Sequence, residues 1–149
     1  NSIYGLTKGQ VSPTSPMGMK SGTSPYGNIA RPLNPTTLAL AYGATFVART
    51  FSRERDMVSD LITRAIQHKG FSFIHDLSPC VVFNKNVTYG SVNSVTAQLP
   101  EEHDILDRSN AMSLAESTEP VYQGLFFQEK IPSFDDHVKQ VKDGLNKSD

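Results

Sequence analysis

The sequence has little of what several classes of protein require. Cys80 is its single cysteine, which excludes an internal disulfide framework and agrees with a reducing cytoplasm. The 14 basic side chains are balanced by 15 acidic ones and form no Lys/Arg cluster. The sequence therefore offers no basic patch for a nucleic acid or an anionic membrane. No apolar run approaches the roughly 20 residues that span a bilayer. We therefore expect a soluble, cytoplasmic protein without nucleic-acid or membrane partners.

Other absences concern enzyme motifs and the start of the chain. The sequence contains no phosphate-binding P-loop, no dinucleotide fingerprint and no Ser/His/Asp order of a hydrolase. It begins at Asn1 without an initiator methionine, a signal peptide or a preceding strand. This start predicts that the 149 residues are the C-terminal part of a longer polypeptide.

Residues 11–35 are dense in side chains that break helices and strands. They include Pro13, Pro16, Gly18, Gly22, Pro25, Gly27 and Pro32. Loops of this length are usually either disordered or functional. Two interpretations therefore stand side by side, a loop lying over a ligand and a disordered linker.

The rest of the chain alternates between strand and helix patterns. Asn34 is a candidate cap for a short helix that starts at Pro35 and ends at Gly43. The further predictions are a strand over 45–49, a helix over 55–69, a strand over 71–77, mostly irregular chain over 81–100, a helix over 109–117, a strand over 121–128 and a helix over 134–145. This order predicts an α/β fold with a doubly wound, mainly parallel sheet. Cys80 falls just beyond the carboxyl end of a strand, where such folds place binding residues.

The first ten residues, NSIYGLTKGQ, carry a possible metal and phosphate motif. Mg²⁺ prefers hard oxygen ligands, and the Asn1 side chain and the Ile3 carbonyl are spaced to face one ion. Gly5 would let the backbone approach a diphosphate closely. Taken alone, the same residues also suit an ordinary turn between a strand and a loop.

The motif and the blocks behind it resemble the β subunit of 2-oxoacid:ferredoxin oxidoreductases. The resemblance rests on blocks in family order: NSIYGLTKGQVSPT, SPYGNI with Asn34-Pro35, GATFVAR, HKGFSFI, LSPC with Phe83-Asn84, and GLFF at 124–127. It implies the thiamine diphosphate-binding fold, with residues 1–149 as the C-terminal part of one domain. Within it, 1–10 would be the cofactor and metal motif, 11–35 a loop, 36–128 the α/β core and 129–149 a terminal helix and tail.

The resemblance also implies roles for single residues. Asn1 and Ile3 would be Mg²⁺ ligands, and Gly5, Leu6 and Thr7 would lie against the diphosphate of the cofactor. Leu6 would also border the substrate, and Leu6 with Lys8 is typical of enzymes that take 2-oxoglutarate or a broad range of 2-oxoacids. Lys8 could pair with a second substrate carboxylate. A solvated surface lysine is the alternative.

Cys80 has two interpretations. A lone cysteine after a strand is usually a small buried hydrophobe. In the family it resembles, the Leu-Ser-Pro-Cys position supplies one thiolate of a 4Fe-4S iron–sulfur cluster. One thiolate cannot hold such a cluster, so its other ligands would lie outside this chain.

The remaining polar candidates give weaker signals. The four histidines, His68, His75, His103 and His137, show no metal-ligand spacing and are expected to be structural. The acidic run Glu101-Glu102-His103-Asp104 is expected to be a solvated face rather than a cation site.

The function implied by the resemblance is oxidative decarboxylation of a 2-oxoacid, with 2-oxoglutarate favoured. Thiamine diphosphate, Mg²⁺ and an iron–sulfur cluster would be the cofactors, coenzyme A the acyl acceptor, and ferredoxin and an α subunit the partners. Two alternatives remain: a non-oxidative thiamine diphosphate-dependent decarboxylase without a cluster, and a binding or assembly module without activity.

Overall fold

The computed structural model describes residues 2–145 as a small α/β structure. Its elements in chain order are β1 (Ile3–Tyr4), β2 (Gln10–Val11), α1 (Pro35–Ala41), β3 (Phe46–Phe51), α2 (Arg55–Gln67), β4 (Ser72–Leu77), α3 (Tyr89–Val95), β5 (Thr96–Gln98), α4 (Arg108–Glu116), β6 (Val121–Gln128) and α5 (Phe134–Leu145). Within residues 2–145, no helix is both long enough and apolar enough to cross a membrane.

The sheet has four strands in the order β4-β3-β6-β5. Strands β3 and β4 are parallel and are joined through α2, as the strand–helix–strand pattern predicts. Strands β5 and β6 form a second parallel pair, and β6 runs antiparallel to β3. The predicted α/β class is confirmed, and the structure adds that two parallel pairs meet along an antiparallel seam.

Helices cover both faces of this sheet. Helices α1 and α4 pack on one face, where buried Leu40 and Ala111 join Val47 in a single apolar cluster. Helix α2 covers the other face, with Leu61 against Phe46. The pairing of β3 with β6 shifts register between Val47 and Ala48. Such a bulge lets two consecutive residues face the same side of the sheet. Phe126 and Phe127 therefore both join the apolar cluster beneath α1 and α4.

Most predicted elements agree with the structure to within two or three residues at each end. Helix α1 starts at Pro35, and the Asn34 side chain accepts hydrogen bonds from the amides of Thr36 and Thr37 at 3.1 and 3.3 Å. The prediction of irregular chain over 81–100 is wrong for half of that segment, which contains α3 and β5. Helix α3 is short, polar and largely exposed, and it begins with a capping box at Thr88 and Ser91, so it lacks the apolar stripe on which helix prediction depends.

A buried arginine on β3 ties three elements together. Arg49 is 3% exposed, and its guanidinium donates to Thr36 Oγ1 at 3.2 Å and to Asn34 Oδ1 at 3.3 Å, both at the start of α1. It also donates to the carbonyl of Ala115 at 3.0 Å and to that of Tyr122 at 3.1 Å. Ala115 lies in the last turn of α4, where the helix dipole favours a cation.

Replacing Arg49 by lysine should destabilise the fold although the charge is kept. An ammonium group has three donors on a flexible stem and cannot reproduce the planar fork, so buried acceptors on α1, α4 and β6 lose their partners. We expect Arg49→Lys to reduce the free energy of unfolding by roughly 2–4 kcal/mol in urea denaturation. Arg64→Lys is the matched control, because Arg64 is partly exposed and pairs with Asp60 at the surface of α2. Equal losses in the two variants would contradict this role.

Candidate functional site

The turn between β1 and β2 presents backbone amides to solvent. Two hydrogen bonds close it, from the Lys8 amide to the Gly5 carbonyl and from the Gly9 amide to the Tyr4 carbonyl, both 3.0 Å long. Lys8 and Gly9 have positive φ values of 63° and 106°, which turn the chain back into β2. Within residues 2–145, the amides at 5, 6 and 7 donate to no protein acceptor. Consecutive unpaired amides in a turn form a concave site for an anion.

Cys80 lies directly beside this turn. A methyl group built on Gly5 would be 3.6 Å from the Cys80 Sγ atom and 4.0 Å from the Phe83 ring. Cys80 is half-buried, and its carbonyl accepts the Asn84 amide at 2.9 Å, which fixes the turn that follows β4. The structure thus brings a thiol and an anion-binding turn together from positions 75 residues apart in the sequence.

Two clefts meet at Ser2 and Leu77. The smaller, of about 180 Å³, contains Cys80 and four valine side chains. The larger, of about 740 Å³, also has a mainly apolar surface, and Arg49 and His75 are among its lining residues. The carboxyl end of β4 therefore lies between a cleft that contains the thiol and a cleft that contains a cation.

A hydrogen-bond chain links Arg49 to His75 at the larger cleft. The Arg49 Nε–H donates to the Thr36 hydroxyl oxygen. The Thr36 hydroxyl group can then donate its proton to His75 Nδ1, which lies 3.3 Å away. That arrangement places the imidazole proton of neutral His75 on Nε2. Burial is the largest cause that lowers the pKa of His75 to about 4, and the positive charge of Arg49 adds to it. Burial also lowers the pKa of Arg49 to about 10.

The predicted site residues occupy different environments. Ile3 is buried at 2% exposure, whereas Leu6 is 98% exposed at the tip of the turn. Thr7 and Lys8 are exposed beside Leu6. Asn1 lies outside the described residues. The structure thus gathers 3–8 and Cys80 in one place, while the contacts that the substrate and metal roles require remain predictions.

The other polar candidates have structural partners, as expected. The His68 Nε2 atom lies 2.8 Å from Thr45 Oγ1, and His103 Nε2 lies 2.8 Å from the carbonyl oxygen of Phe126. Glu101, Glu102 and Asp104 are exposed to solvent. No group of three or more His, Cys, Asp or Glu side chains suited to a metal occurs in the described part of the chain.

Sequence reasoning missed the buried polar group formed by Arg49, Thr36 and Asn34. One signal was available, because an arginine in the middle of the apolar run TFVARTF has to be buried with its charge or to interrupt the strand. The hydroxyl of Ser15, which is fully buried and donates to the Ser2 carbonyl, gave no comparable signal.

Comparisons with known proteins identify the family of the chain. Residues 1–75 match the family model described as the C-terminal, thiamine pyrophosphate-binding domain of thiamine pyrophosphate enzymes. Residues 80–143 match the C-terminal region of the pyruvate ferredoxin oxidoreductase β subunit. The fold and its N-terminal turn therefore define a thiamine pyrophosphate enzyme domain.

Individual relatives show which thiamine pyrophosphate enzymes the chain is similar to. The 2-oxoglutarate synthase subunit KorB of Methanocaldococcus jannaschii is 33% identical over 97% of this chain and 54% of its own length. The 2-oxoacid:ferredoxin oxidoreductase β subunit of a Sulfolobus species is 35% identical over 93% of this chain and 50% of its own. A solved 2-oxoglutarate:ferredoxin oxidoreductase from Magnetococcus marinus, with 2-oxoglutarate, coenzyme A and succinyl-CoA bound, superposes with a TM-score of 0.94 at 37% identity. That alignment covers 98% of this chain and 50% of the solved one.

The chain belongs to the β-subunit family of 2-oxoacid:ferredoxin oxidoreductases. It spans about half the length of the relatives described above.

The lowered pKa of His75 predicts a loss of stability in acid. Because its pKa falls from 6.5 to about 4 on folding, the unfolded chain binds more protons between these values than the folded protein does. The contribution of His75 to the free energy of unfolding is therefore fully present above pH 6.5. It decreases by up to about 3 kcal/mol as the pH falls towards 4.

Urea denaturation at several pH values, compared between the native protein and His75→Asn, measures this contribution. We expect the difference in unfolding free energy to shrink as pH falls from 6.5 to 4. His137→Asn, which removes an exposed histidine on α5, is the matched control. A difference for His75→Asn that stays constant across this range would contradict the burial of a neutral imidazole.

Proposed function

We propose that this chain supplies the cofactor-binding turn of an enzyme that oxidatively decarboxylates a 2-oxoacid in the cytoplasm. The proposed substrate is 2-oxoglutarate, the acyl acceptor coenzyme A and the electron acceptor ferredoxin. An α subunit would be the partner within the enzyme. Thiamine diphosphate, when bound, supplies the electron sink needed to remove carbon dioxide from a 2-oxoacid.

The observation that carries this proposal is the set of backbone amides in the turn that donate to no acceptor within residues 2–145. A diphosphate offers several oxygen acceptors, which suits a turn with consecutive amide donors. Gly5 supports the same interpretation, because an alanine methyl group there would meet only ordinary contacts of 3.6 and 4.0 Å. The protein's own packing therefore does not require glycine, whereas close approach of a ligand does.

The residues present also suit a divalent cation at the diphosphate. Ile3 lies in β1 at the base of the turn, and its carbonyl is the proposed backbone ligand for Mg²⁺. The Asn1 side chain is the proposed second ligand and lies outside the described residues. Carbonyl and amide oxygens are the hard ligands that Mg²⁺ prefers, and substrate phosphates and water complete its usual octahedron.

Cys80 fits the role of one ligand to an iron–sulfur cluster. Its Sγ atom lies 3.6 Å from the point where a Cβ atom on Gly5 would be. A group bound to this sulfur would therefore lie next to the turn. Four thiolates normally hold a 4Fe-4S cluster, and this chain has one cysteine, so three would have to come from elsewhere. Such a cluster would provide the path by which electrons leave towards ferredoxin.

Leu6 and Lys8 are the proposed substrate contacts. Both are exposed at the tip of the turn, and Leu6, at 98% exposure, has almost no protein neighbour. The Lys8 ammonium group has no ion-pair partner among residues 2–145. A dicarboxylate such as 2-oxoglutarate offers a second carboxylate with which it can pair.

Replacing Gly5 by alanine should weaken cofactor binding without disturbing the fold. The added methyl group would make only ordinary contacts with Cys80 and Phe83, but it would crowd a diphosphate bound against the backbone of the turn. We expect the affinity of the assembled enzyme for thiamine diphosphate with Mg²⁺ to fall at least about tenfold in calorimetric titration.

Gly22→Ala is the matched control, since Gly22 also has free space around it and lies away from the turn. Thermal unfolding of both variants should stay close to that of the native protein. Unchanged cofactor affinity in Gly5→Ala would contradict a diphosphate at this turn.

The substrate proposal is tested in the complete enzyme, with the whole β subunit and its α subunit. Reduction of a low-potential acceptor should require both coenzyme A and a 2-oxoacid, with 2-oxoglutarate preferred to pyruvate. Lys8→Ala should raise the KM for 2-oxoglutarate roughly tenfold and leave that for pyruvate unchanged, because only the longer substrate loses a charge pair.

Lys139→Ala on α5 is the control for removing an exposed lysine. Equal effects of Lys8→Ala on both substrates would argue against a contact with the second carboxylate. Failure to reduce the acceptor with any 2-oxoacid would reject the catalytic proposal as a whole.

A further inference from the structure

Helix α5 carries an exposed apolar stripe. The stripe consists of Phe134, Val138, Val141 and Leu145, which follow one another at intervals of four, three and four residues and therefore lie on one side of the helix. Phe134 is 80% exposed, Val141 64% and Leu145 65%. Within residues 2–145, the stripe joins neither apolar cluster of the sheet, and an open groove of about 370 Å³ follows it. This spacing is typical of a helix that packs against another helix.

The first turn of α5 is anchored, so the stripe is held ready for a partner. The Ser133 amide donates to the Asp136 carboxylate at 2.9 Å, and the Asp136 amide donates to the Ser133 hydroxyl at 3.2 Å. These two bonds form a capping box. The Lys69 ammonium group, just beyond α2, lies 3.8 Å from the same carboxylate. A helix fixed in this way loses little conformational freedom when it binds.

The charges that border the stripe are opposite at its two ends. Asp135 lies in the first turn of α5 and Lys142 in the last. Seven residues separate them, which is about two helical turns, so both border the same side of the stripe about 10 Å apart. This separation is too long for an ion pair within one helix, and neither group has an ion-pair partner among residues 2–145. Each is available to an opposite charge on another molecule.

A second copy of α5 that runs in the opposite direction covers the stripe along its whole length. With Val138 opposite Val141 of the other copy, Phe134 lies opposite Leu145 of that copy. The twofold symmetry of such a pair repeats both contacts. The larger phenylalanine thus meets leucine at the two ends, and the smaller valines meet in the middle.

The same alignment also pairs the charges. Asp135 of each copy lies opposite Lys142 of the other, which gives two ion pairs across the contact. A parallel pair would instead bring Lys142 near His137, which offers no negative charge. Flanking charges set the orientation of paired helices, so the antiparallel pair is favoured. Because α5 complements itself in both shape and charge, a second copy is the partner that this surface fits.

We propose that α5 is a self-association surface on which two copies of this chain pair in antiparallel orientation. Strand β6 ends beside the start of β3, whereas Cys80 follows the end of β4, so α5 begins at the opposite edge of the sheet from the candidate site. Pairing leaves the N-terminal turn of each copy open, and the inference does not rest on the proposed function. Two 12-residue helices bury less than the roughly 1,600 Å² of a standard interface, so the pairing is weak and reversible.

Sedimentation equilibrium of the whole β subunit, across roughly 1–500 µM to suit a weak contact, tests the charge pairing. Asp135→Lys and Lys142→Asp should each raise the dissociation constant of the dimer at least about tenfold, because each creates two pairs of like charge. The double variant, with both changes, should restore the constant to within about threefold of the native value. An equimolar mixture of the two single variants should dimerise equally well, since each supplies the charge that the other lacks.

A second pair of variants tests the stripe. Val141→Asn with Leu145→Asn should raise the dissociation constant at least about tenfold, because polar amides replace apolar contacts at the seam. The matched control is Ile66→Asn with Leu106→Asn, whose side chains are 80% and 67% exposed outside α5. It should change the constant less than about threefold. Circular dichroism should show all variants folded, because the side chains they replace are exposed.

Several results would overturn the proposal. They are a β subunit that stays monomeric throughout, single charge variants that dimerise like the native protein, and a mixture of these variants that stays monomeric. A Val141/Leu145 variant with a lowered unfolding temperature and unchanged association would show that the rest of the β subunit covers α5. Loss of binding to the α subunit alone would assign the stripe to that partner, and either outcome would reject self-association.

Discussion

A buried guanidinium group that has no carboxylate partner within residues 2–145 is the constraint on which the arrangement of this fold depends. Burying a charge is costly unless hydrogen bonds replace its hydration. Arg49 meets that requirement with acceptors from α1, α4 and β6, together with the dipole at the end of α4. Helices α1 and α4 and strand β6 therefore all have to be correctly placed against β3 for Arg49 to keep its hydrogen bonds. Arg49 also lines the cleft beside His75, so the same side chain that ties these elements together reaches the wall of that cleft.

The candidate site is built from short turns at one end of a rigid scaffold. Strand β4 fixes the position of Cys80, and a buried hydroxyl at Ser15 fixes the N-terminal turn from the opposite side. Neither turn has much apolar burial of its own apart from Ile3. The sheet therefore determines how the two turns lie relative to each other. This is the usual way in which α/β folds combine a stable core with ligand-binding loops.

The sequence predicted the elements that bury an apolar stripe, because periodicity reports burial directly. Helix α2 and strand β6 are examples, whereas the polar helix α3 carries its start signal in the capping residues Thr88 and Ser91 and was missed. The N-terminal motif was found by resemblance, but its contact with Cys80 joins residues far apart in sequence, which local patterns do not encode. The same holds for Arg49, whose partners at 34 and 122 become neighbours only when both layers are assembled.

The two ends of the loop over 12–33 are joined by a hydrogen bond from the Leu33 amide to the Pro13 carbonyl, 2.8 Å long. Since the loop closes on itself, residues can be inserted or removed between these points without displacing α1 or β2. The loop thus keeps its own shape, and the bond from Ser15 to the Ser2 carbonyl holds it beside the adjoining turn.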